Sequence, residues 1–431
     1  MFFAVGLEAV LTISTLWAYL STLVQPENKR VWYGLISCSY YVMDIISSLV
    51  LGQYVDRTRN IRLVILCCVG FIIAGNLIYV IHFSPYCLLL GRIISGIGAG
   101  WRPCAIGETS RMYDREERSK RLALLISFYN IATTIAPGIN IMFTNVRFHI
   151  MSLHFTYVNI PGIYASILFL SIQIFAFFKL SNFNDDDKYT SEKTPLSEKD
   201  FSDTDKQDDL IEETREDDGK SRSETQSLWN FLASLGRCID IMLIFLATFS
   251  YQFIEYIMDL WVPILVCNDM KWNYNFVYVI FLVTGVVYII FIIPVTIKKL
   301  SASQVFKVYL FNTSMYIISM ASILALFLYP KNMKLDIPLT VCFIVTFGLS
   351  ATAHTLLISL LSLFLPNSAL AKGESTRIFF TRLGTLLGTL LGGITYPFIP
   401  IAVPVMIAFR IILYAGFIIR YRSFSDPVPA F

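Results

Sequence analysis

The chain has 431 residues, of which 55% are hydrophobic and 15% charged, with a net charge of +3 and a mean hydropathy of +0.62. Ordinary globular domains are roughly 45–50% apolar and 25% charged, so a large soluble core is excluded and a polytopic membrane protein is expected. The eight cysteines show no CxxC or Cys/His ligand spacing, which excludes a disulfide framework and a zinc site.

Apolar runs near 20 residues predict spans at 2–24, 31–52, 62–83, 86–110, 121–144 and 156–179. Six more follow at 238–266, 275–297, 304–329, 338–365, 373–396 and 399–420. The first run starts at Met1 without a basic leader and carries Glu8, which argues against a cleaved signal peptide and predicts a helix whose preceding tail is absent. The expectation is an all-α fold of twelve membrane helices in two pseudo-symmetric six-helix halves, 1–180 and 238–422, with a short tail at 423–431. The stretch 181–237 between them holds 16 of the 31 acids. Low hydrophobicity with abundant charge predicts a disordered acidic tether.

Lys and Arg set the orientation. Arg57, Arg59, Arg62, Arg111, Arg115, Arg118, Lys120, Arg121, Lys298, Lys299, Lys372, Arg377, Arg420 and Arg422 fall in one set of loops. The alternate set holds Lys29, Arg30, Arg147, Lys271, Lys331 and Lys334. The richer set, with both termini, is expected in the cytoplasm.

Two stretches carry most of the functional signal. Gly52-Gln53-Tyr54-Val55-Asp56-Arg57-Thr58-Arg59-Asn60-Ile61-Arg62 joins spans two and three. Gly52 permits close helix contact, Asp56 suits the positive N-terminus of a neighbouring helix, and Arg57 is within reach of Glu108 at the end of span four. These residues, with Arg62 and the start of span eleven, are expected to form a cytoplasmic gate. Residues 88–118 then read L-L-L-G-R-I-I-S-G-I-G-A-G-W-R-P-C-A-I-G-E-T-S-R-M-Y-D-R-E-E-R. Arg92 and Arg102 lie at membrane depth, where an Arg costs about 2.5–3.5 kcal/mol and marks a functional site. Gly96, Gly98 and Gly100 allow close packing. Pro137 interrupts span five, and Gly384, Gly388 and Gly392 give span eleven a small-residue stripe.

Glu255 and Asp259 are four residues apart on one face of span seven. Two carboxylates in a low dielectric resist double ionisation, which makes them candidates for proton coupling. Arg92 and Glu255 belong to opposite halves and are expected to couple substrate or proton movement across them. Glu8 and Arg102 are expected to pair nearer the cytoplasm. His354 reads as a satisfied core histidine. Tyr421-Arg422-Ser423-Phe424 fits a loose tyrosine sorting pattern, and the sequon at Asn312 falls inside a span.

G-x-x-x-D-R after span two, Leu88-x-x-x-Arg92-x-x-Ser95-Gly96-x-Gly98-Ala99-Gly100 and Ala132-x-x-x-Ala136-Pro137-Gly138 resemble the signatures of the major facilitator superfamily. Within it, residues 32–140 and 249–263 are similar to the lysosomal facilitators of the neuronal ceroid lipofuscinosis type. The resemblance implies a secondary transporter moving a small solute by alternating access, in a lysosomal or endosomal membrane rather than the plasma membrane. An endolysosomal anion channel, with Arg92 and Arg102 drawing anions inward, and a non-transporting scaffold are the alternatives. No nucleotide loop, metal spacing or nucleophile motif is found, so an enzyme is not expected. Neither is a cofactor, a metal or a nucleic-acid partner. The expected partners are the bilayer, a small-molecule or ion substrate, and protons as a candidate coupling ion.

Overall fold

The computed structural model describes residues 1–25, 28–112, 115–150, 153–179, 239–297, 301–329, 333–364 and 367–425. The acidic tether expected at 181–237 lies outside the described residues, as does the Lys298-Lys299 turn. The first half contains α1 (Phe2–Leu23), α2 (Lys29–Thr58), α3 (Ile61–Val80), α4 (Pro85–Ala99), α5 (Trp101–Met112), α6 (Arg115–Phe143) and α7 (Ile160–Lys179). The second contains α8 (Ile239–Ile264), α9 (Asn275–Ile297), α10 (Ala302–Leu328), α11 (Met333–Ser350), α12 (Ala353–Phe364), α13 (Asn367–Thr395), α14 (Ile399–Ile419) and the short α15 (Tyr421–Ser425). Counting α4 with α5, and α11 with α12, as single crossings gives the twelve expected spans.

The two halves repeat one packing scheme. In the first, α1 packs on α6, α2 on α4, α3 on α4 and α3 on α7. In the second, α8 packs on α13, α9 on α11, α10 on α11 and α10 on α14. The contacts between halves are paired too, α2 with α13 and α6 with α9. Both fourth-type spans break, at Gly100 and at Ala351-Thr352. A break frees carbonyls that hydrocarbon cannot satisfy, so polar side chains must do so. Arg102 Nε reaches the Ala99 carbonyl at 3.4 Å, and Thr352 Oγ1 reaches the Leu349 carbonyl at 3.2 Å.

Small residues set the helix spacing. A Cβ on Gly96 would stand 2.5 Å from the Tyr40 carbonyl oxygen, and one on Gly98 2.6 Å from that of Cys68. Gly100 lies against Ser47, while Gly384 and Gly388 lie against the Phe249 and Phe253 carbonyls of α8. Pro137 sits inside α6. Gly52 departs from this pattern, since nothing lies within 4 Å of a Cβ placed there. Its expected close contact is not made in this conformation. The outer face carries Leu49, Val50, Phe178, Ile412 and Ile419, all exposed, as a lipid-facing surface requires.

Two features lie outside the all-helical expectation. Arg147–Ile150 and Leu153–Thr156 pair as an antiparallel ladder, Phe148 opposite Phe155, between α6 and α7. The expected tail begins with a packed helix: Phe424 of α15 is fully buried against Phe306, Phe364 and Phe417. The tyrosine pattern therefore has its bulky residue inside the core.

Call the end bearing Arg57, Arg59 and Arg62 the basic end. An apolar core continues through the second half from Phe306, Phe417 and Phe424, and at the opposite end it joins Ile257, Trp261 and Tyr396 to Trp17, Tyr33 and Leu88 of the first half. There Tyr274 donates to the Ser14 carbonyl, and Arg30 lies 5.5 Å from the centre of the Tyr396 ring. At the basic end, Phe2, Val55, Ile61, Val64 and Trp101 form a separate core confined to the first half. Among the described residues, the apolar core that spans both halves draws on the first half only away from the basic end.

Candidate functional site

Among the described residues, clusters of charge centre on Glu8, Asp44 and Glu255. The first is enclosed in the N-terminal half. Arg92 of α4 donates to Glu8 Oε1 at 3.0 Å and to Thr12 Oγ1 at 2.7 Å, both on α1. Its guanidinium carbon lies 4.3 Å from the centre of the Tyr40 ring. Asn76 Nδ2 approaches the same Glu8 oxygen at 3.5 Å. Arg92 and Glu8 are 3% and 1% exposed, so the pair is sealed from any interior space. This corrects one expected pairing: Glu8 meets Arg92, and Arg102 meets Asp44 instead. The two residues enter their helices from opposite ends and meet because α1 and α4 run side by side at mid-depth.

The second cluster joins the halves. Asp44 of α2 is wholly buried and receives Arg102 Nη2 on Oδ2 at 2.8 Å. Arg382 of α13, in the other half, donates to the same oxygen. Ser48 Oγ lies 3.4 Å from Oδ1. Two cations share one carboxylate, and Arg382 keeps 29% of its side chain exposed. Asp44 and Arg382 were not singled out from the sequence. Each is a lone charge in an apolar run, and the same cost argument that marks Arg92 applies to both.

The third cluster is acidic. Glu255 and Asp259 of α8 are half-buried. Gln252 Nε2 donates to Glu255 Oε2, and neither carboxylate makes a salt bridge among the described residues. Tyrosines surround them: Tyr251, Tyr256, Tyr288 and Tyr316 near Glu255, and Tyr33, Tyr41 and Tyr316 near Asp259. The Tyr41 and Tyr256 rings meet edge to face at 5.3 Å, one from each half. Asn130 of α6 and Tyr288 of α9 are joined at 3.2 Å. Tyr40 and Tyr41 stand between the Arg92 pair and the carboxylates.

The expected gate is drawn differently. Glu108 pairs with Arg59 at 3.4 Å, not with Arg57, which is exposed. Arg59 adopts the left-handed backbone (φ 54°) that closes α2, and this aims its side chain back at α5. Arg62 donates to the Phe177 carbonyl of α7 at 3.0 Å, so it ties span three to span six. The Asp56 side chain lies outside the described residues. Further along, His354 contacts Arg377 at 3.1 Å, and Arg377 pairs with Glu374 at 2.7 Å. His354 thus has a partner, as a satisfied core histidine should. Asn312 is buried and donates to Thr352 Oγ1, so the sequon is packed inside the bundle.

Among the described residues no group of His, Cys, Asp and Glu could hold a metal ion. The arrangement is one buried ion pair within the first half, a shared carboxylate that joins the two halves, and a pair of half-buried carboxylates on α8.

Comparisons with known proteins bear on this architecture. The chain is similar in fold to the crystal structure of the nucleoside transporter NupG, with a TM-score of 0.59, 10% identity, and coverage of 98% of this chain and 100% of that one. It is also similar to the inward open conformation of the xylose transporter XylE from E. coli, with a TM-score of 0.62, 12% identity, and coverage of 96% and 94%. No curated protein sequence matches the chain. The sequence model of the Major Facilitator Superfamily matches residues 2–389. This integral, multi-pass membrane protein therefore belongs to the major facilitator superfamily.

Proposed function

We propose that the protein is a secondary transporter that carries a small solute by alternating access, with its site between the two halves near mid-depth. The observation that carries this reading is the Asp44–Arg382 ion pair. It is a charge contact between the halves at the level of the site, and such a contact can be made in one state and broken in another. With the basic end in the cytoplasm, the core confined to the first half there supports reading the conformation as open inward. Glu255 and Asp259 face the same region without a cation, and we assign them to proton coupling. The lysosomal or endosomal location rests on the similarity of residues 32–140 and 249–263 to the lysosomal facilitators.

A second reading is favoured by one observation. Arg102 and Arg382 together outnumber Asp44, which leaves surplus positive charge where an anion would pass. An anion conductance would use that charge without any proton.

Reconstitution into liposomes separates the two. Uptake of a solute panel that includes a nucleoside and xylose is measured under an imposed pH gradient, with current recorded in parallel. Saturable uptake that follows the pH gradient, and loses that dependence in Glu255→Gln, supports the transporter. A chloride current that ignores the pH gradient, with no solute uptake, replaces it with the conductance.

A further inference from the structure

Arg410 sits at the middle of α14 and is 1% exposed. Its Nη1 donates to Ser250 Oγ at 2.8 Å and approaches the Ala247 carbonyl at 3.5 Å, both on α8. Its guanidinium carbon lies 5.1 Å from the centre of the Tyr316 ring on α10. All of these partners are neutral. The other edge, Nε with Nη2, makes no hydrogen bond among the described residues. That edge is the fork that takes the two oxygens of a carboxylate side by side. A guanidinium does not give up its proton inside a protein, and a buried charge is ordinarily paired.

A second orphan lies beside it. Tyr251 follows Ser250 on α8, and its Oη is buried without a partner. Its ring packs 4.9 Å from that of Tyr316. Glu255 stands one turn further on the same face of α8. Side chains on a helix lean toward its N-terminus, which here is the direction of Tyr251. The fields of Glu255 and Arg410 both reach Tyr251 and Tyr316.

We propose that the Arg410 fork and the Tyr251 hydroxyl form a second seat for the Glu255 carboxylate. In the conformation described, Glu255 is turned to Gln252. In the other, its two oxygens move into the fork and accept the Tyr251 O–H, and Arg410 holds the group ionised. Arg410 is a positioning residue, and its effect is read through Glu255.

The surroundings of Glu255 are consistent with this assignment. Asp259 on its own helix opposes its charge. Tyr256 on the same helix, Tyr288 on α9 and Tyr316 on α10 carry no charge at neutral pH. Tyr41 of α2 meets Tyr256 from the other half. On α12 and α13, His354 lies 6.5 Å from Tyr251 between ring centres, but its neighbour Arg377 is already paired with Glu374. Arg382 on α13 is held by Asp44, whereas Arg410 has no acidic partner among the described residues.

The test follows the protonated-carboxyl stretch of Glu255 by infrared spectroscopy on the purified full-length protein across pH. The band is identified by its loss in Glu255→Gln. In Arg410→Gln its titration midpoint is expected to rise by about one pH unit or more, the shift that loss of an opposite charge at close range produces. Arg410→Lys keeps the charge and is expected to shift it less. Tyr251→Phe removes the hydroxyl alone, gives a smaller rise, and decides the matter if Arg410→Gln does not fold. An unchanged midpoint in all the variants that fold overturns the proposal, as does the absence of any band lost in Glu255→Gln. Titration with acetate supplies the remaining arm. If acetate stabilises the native protein and Glu255→Gln alike, but not Arg410→Lys, the fork takes an external carboxylate and the Glu255 seat is wrong. None of these readouts depends on transport, so they stand or fall apart from it.

Discussion

Asp44 and Arg382 meet across the two halves on the same carboxylate oxygen that Arg102 reaches from within the first half. Asp44 is fully buried, whereas Arg382 is partly exposed. Asp44→Asn removes the one acid of the cluster and leaves two guanidiniums unpaired. A loss of about 3–5 kcal/mol is expected, the range for breaking a buried pair. Arg382→Gln leaves the Arg102 contact in place and is expected to lower stability by less. It also releases the halves, so a cysteine placed near Lys29 should be labelled faster from the far end. Thermal unfolding in detergent and labelling rates check both. Equal damage from the two substitutions would mean that Arg382 does more than share Asp44.

The Arg92–Glu8 pair is enclosed by Thr12, Tyr40 and Asn76. Glu8→Gln and Arg92→Gln are each expected to cost about 3–5 kcal/mol, and the double variant distinctly less than the sum. A double-mutant cycle on unfolding midpoints gives the coupling directly. Additive effects would show that the two charges are held by other partners.

Gly388 and Gly52 are expected to behave in opposite ways. A side chain at Gly388 meets the Phe253 carbonyl, so Gly388→Val should force α8 and α13 apart and reduce the folded yield. A side chain at Gly52 meets nothing. Gly52→Ala, in the interior of α2, should raise helix stability by about 0.5–1 kcal/mol. If Gly52 packs closely when the basic end closes, the same variant will slow transport while the protein stays stable. A stable Gly52→Ala with normal transport would leave that glycine without a gating role.

Phe424 anchors α15 among Phe306, Phe364 and Phe417. Beside it, Asp240 at the start of α8 receives Arg420 through two hydrogen bonds of 2.8 Å and Ser423 through one of 2.6 Å. Phe424→Ala is expected to cost about 3–5 kcal/mol, as for a buried phenylalanine, and to lower cellular abundance. Tyr421→Ala should leave the location of a tagged protein unchanged, because the bulky residue of the pattern is packed away. Redistribution to the plasma membrane in Tyr421→Ala, at normal abundance, would show that α15 opens in cells.

The spans were legible because hydrocarbon demands about 20 apolar residues wherever the chain crosses, and that demand leaves its trace in composition alone. The repeat was harder to see in sequence, because it resides in which helices touch. Partner choice was not legible. Glu8 and Arg92 are 84 positions apart, and whether they meet depends on the rotation and tilt of two helices, which apolar content does not encode. The same limit hid the substitution of Arg59 for Arg57 at Glu108, since one residue of helix termination decides which arginine turns back. Asp44, Arg382 and Arg410 were visible as isolated charges in apolar runs. They carry no surrounding signature, so only the general cost of burying a charge could have marked them.

The interruptions at Gly100 and at Ala351-Thr352 have a mechanical consequence. A continuous helix transmits a push along its whole length, whereas a helix interrupted at mid-depth can bend there while its far portion stays in place. Each half owns one such joint, and the inner segments beyond the joints, α5 and α12, both lie toward the basic end. Under the proposed alternating access, that end would close by swinging two short levers, while the glycine-packed seam of α2 and α13 at the other end keeps its register. Stiffening one joint, by shortening the Ala351-Thr352 turn, should make the two halves unequal in compliance and leave a protein that closes on one side only.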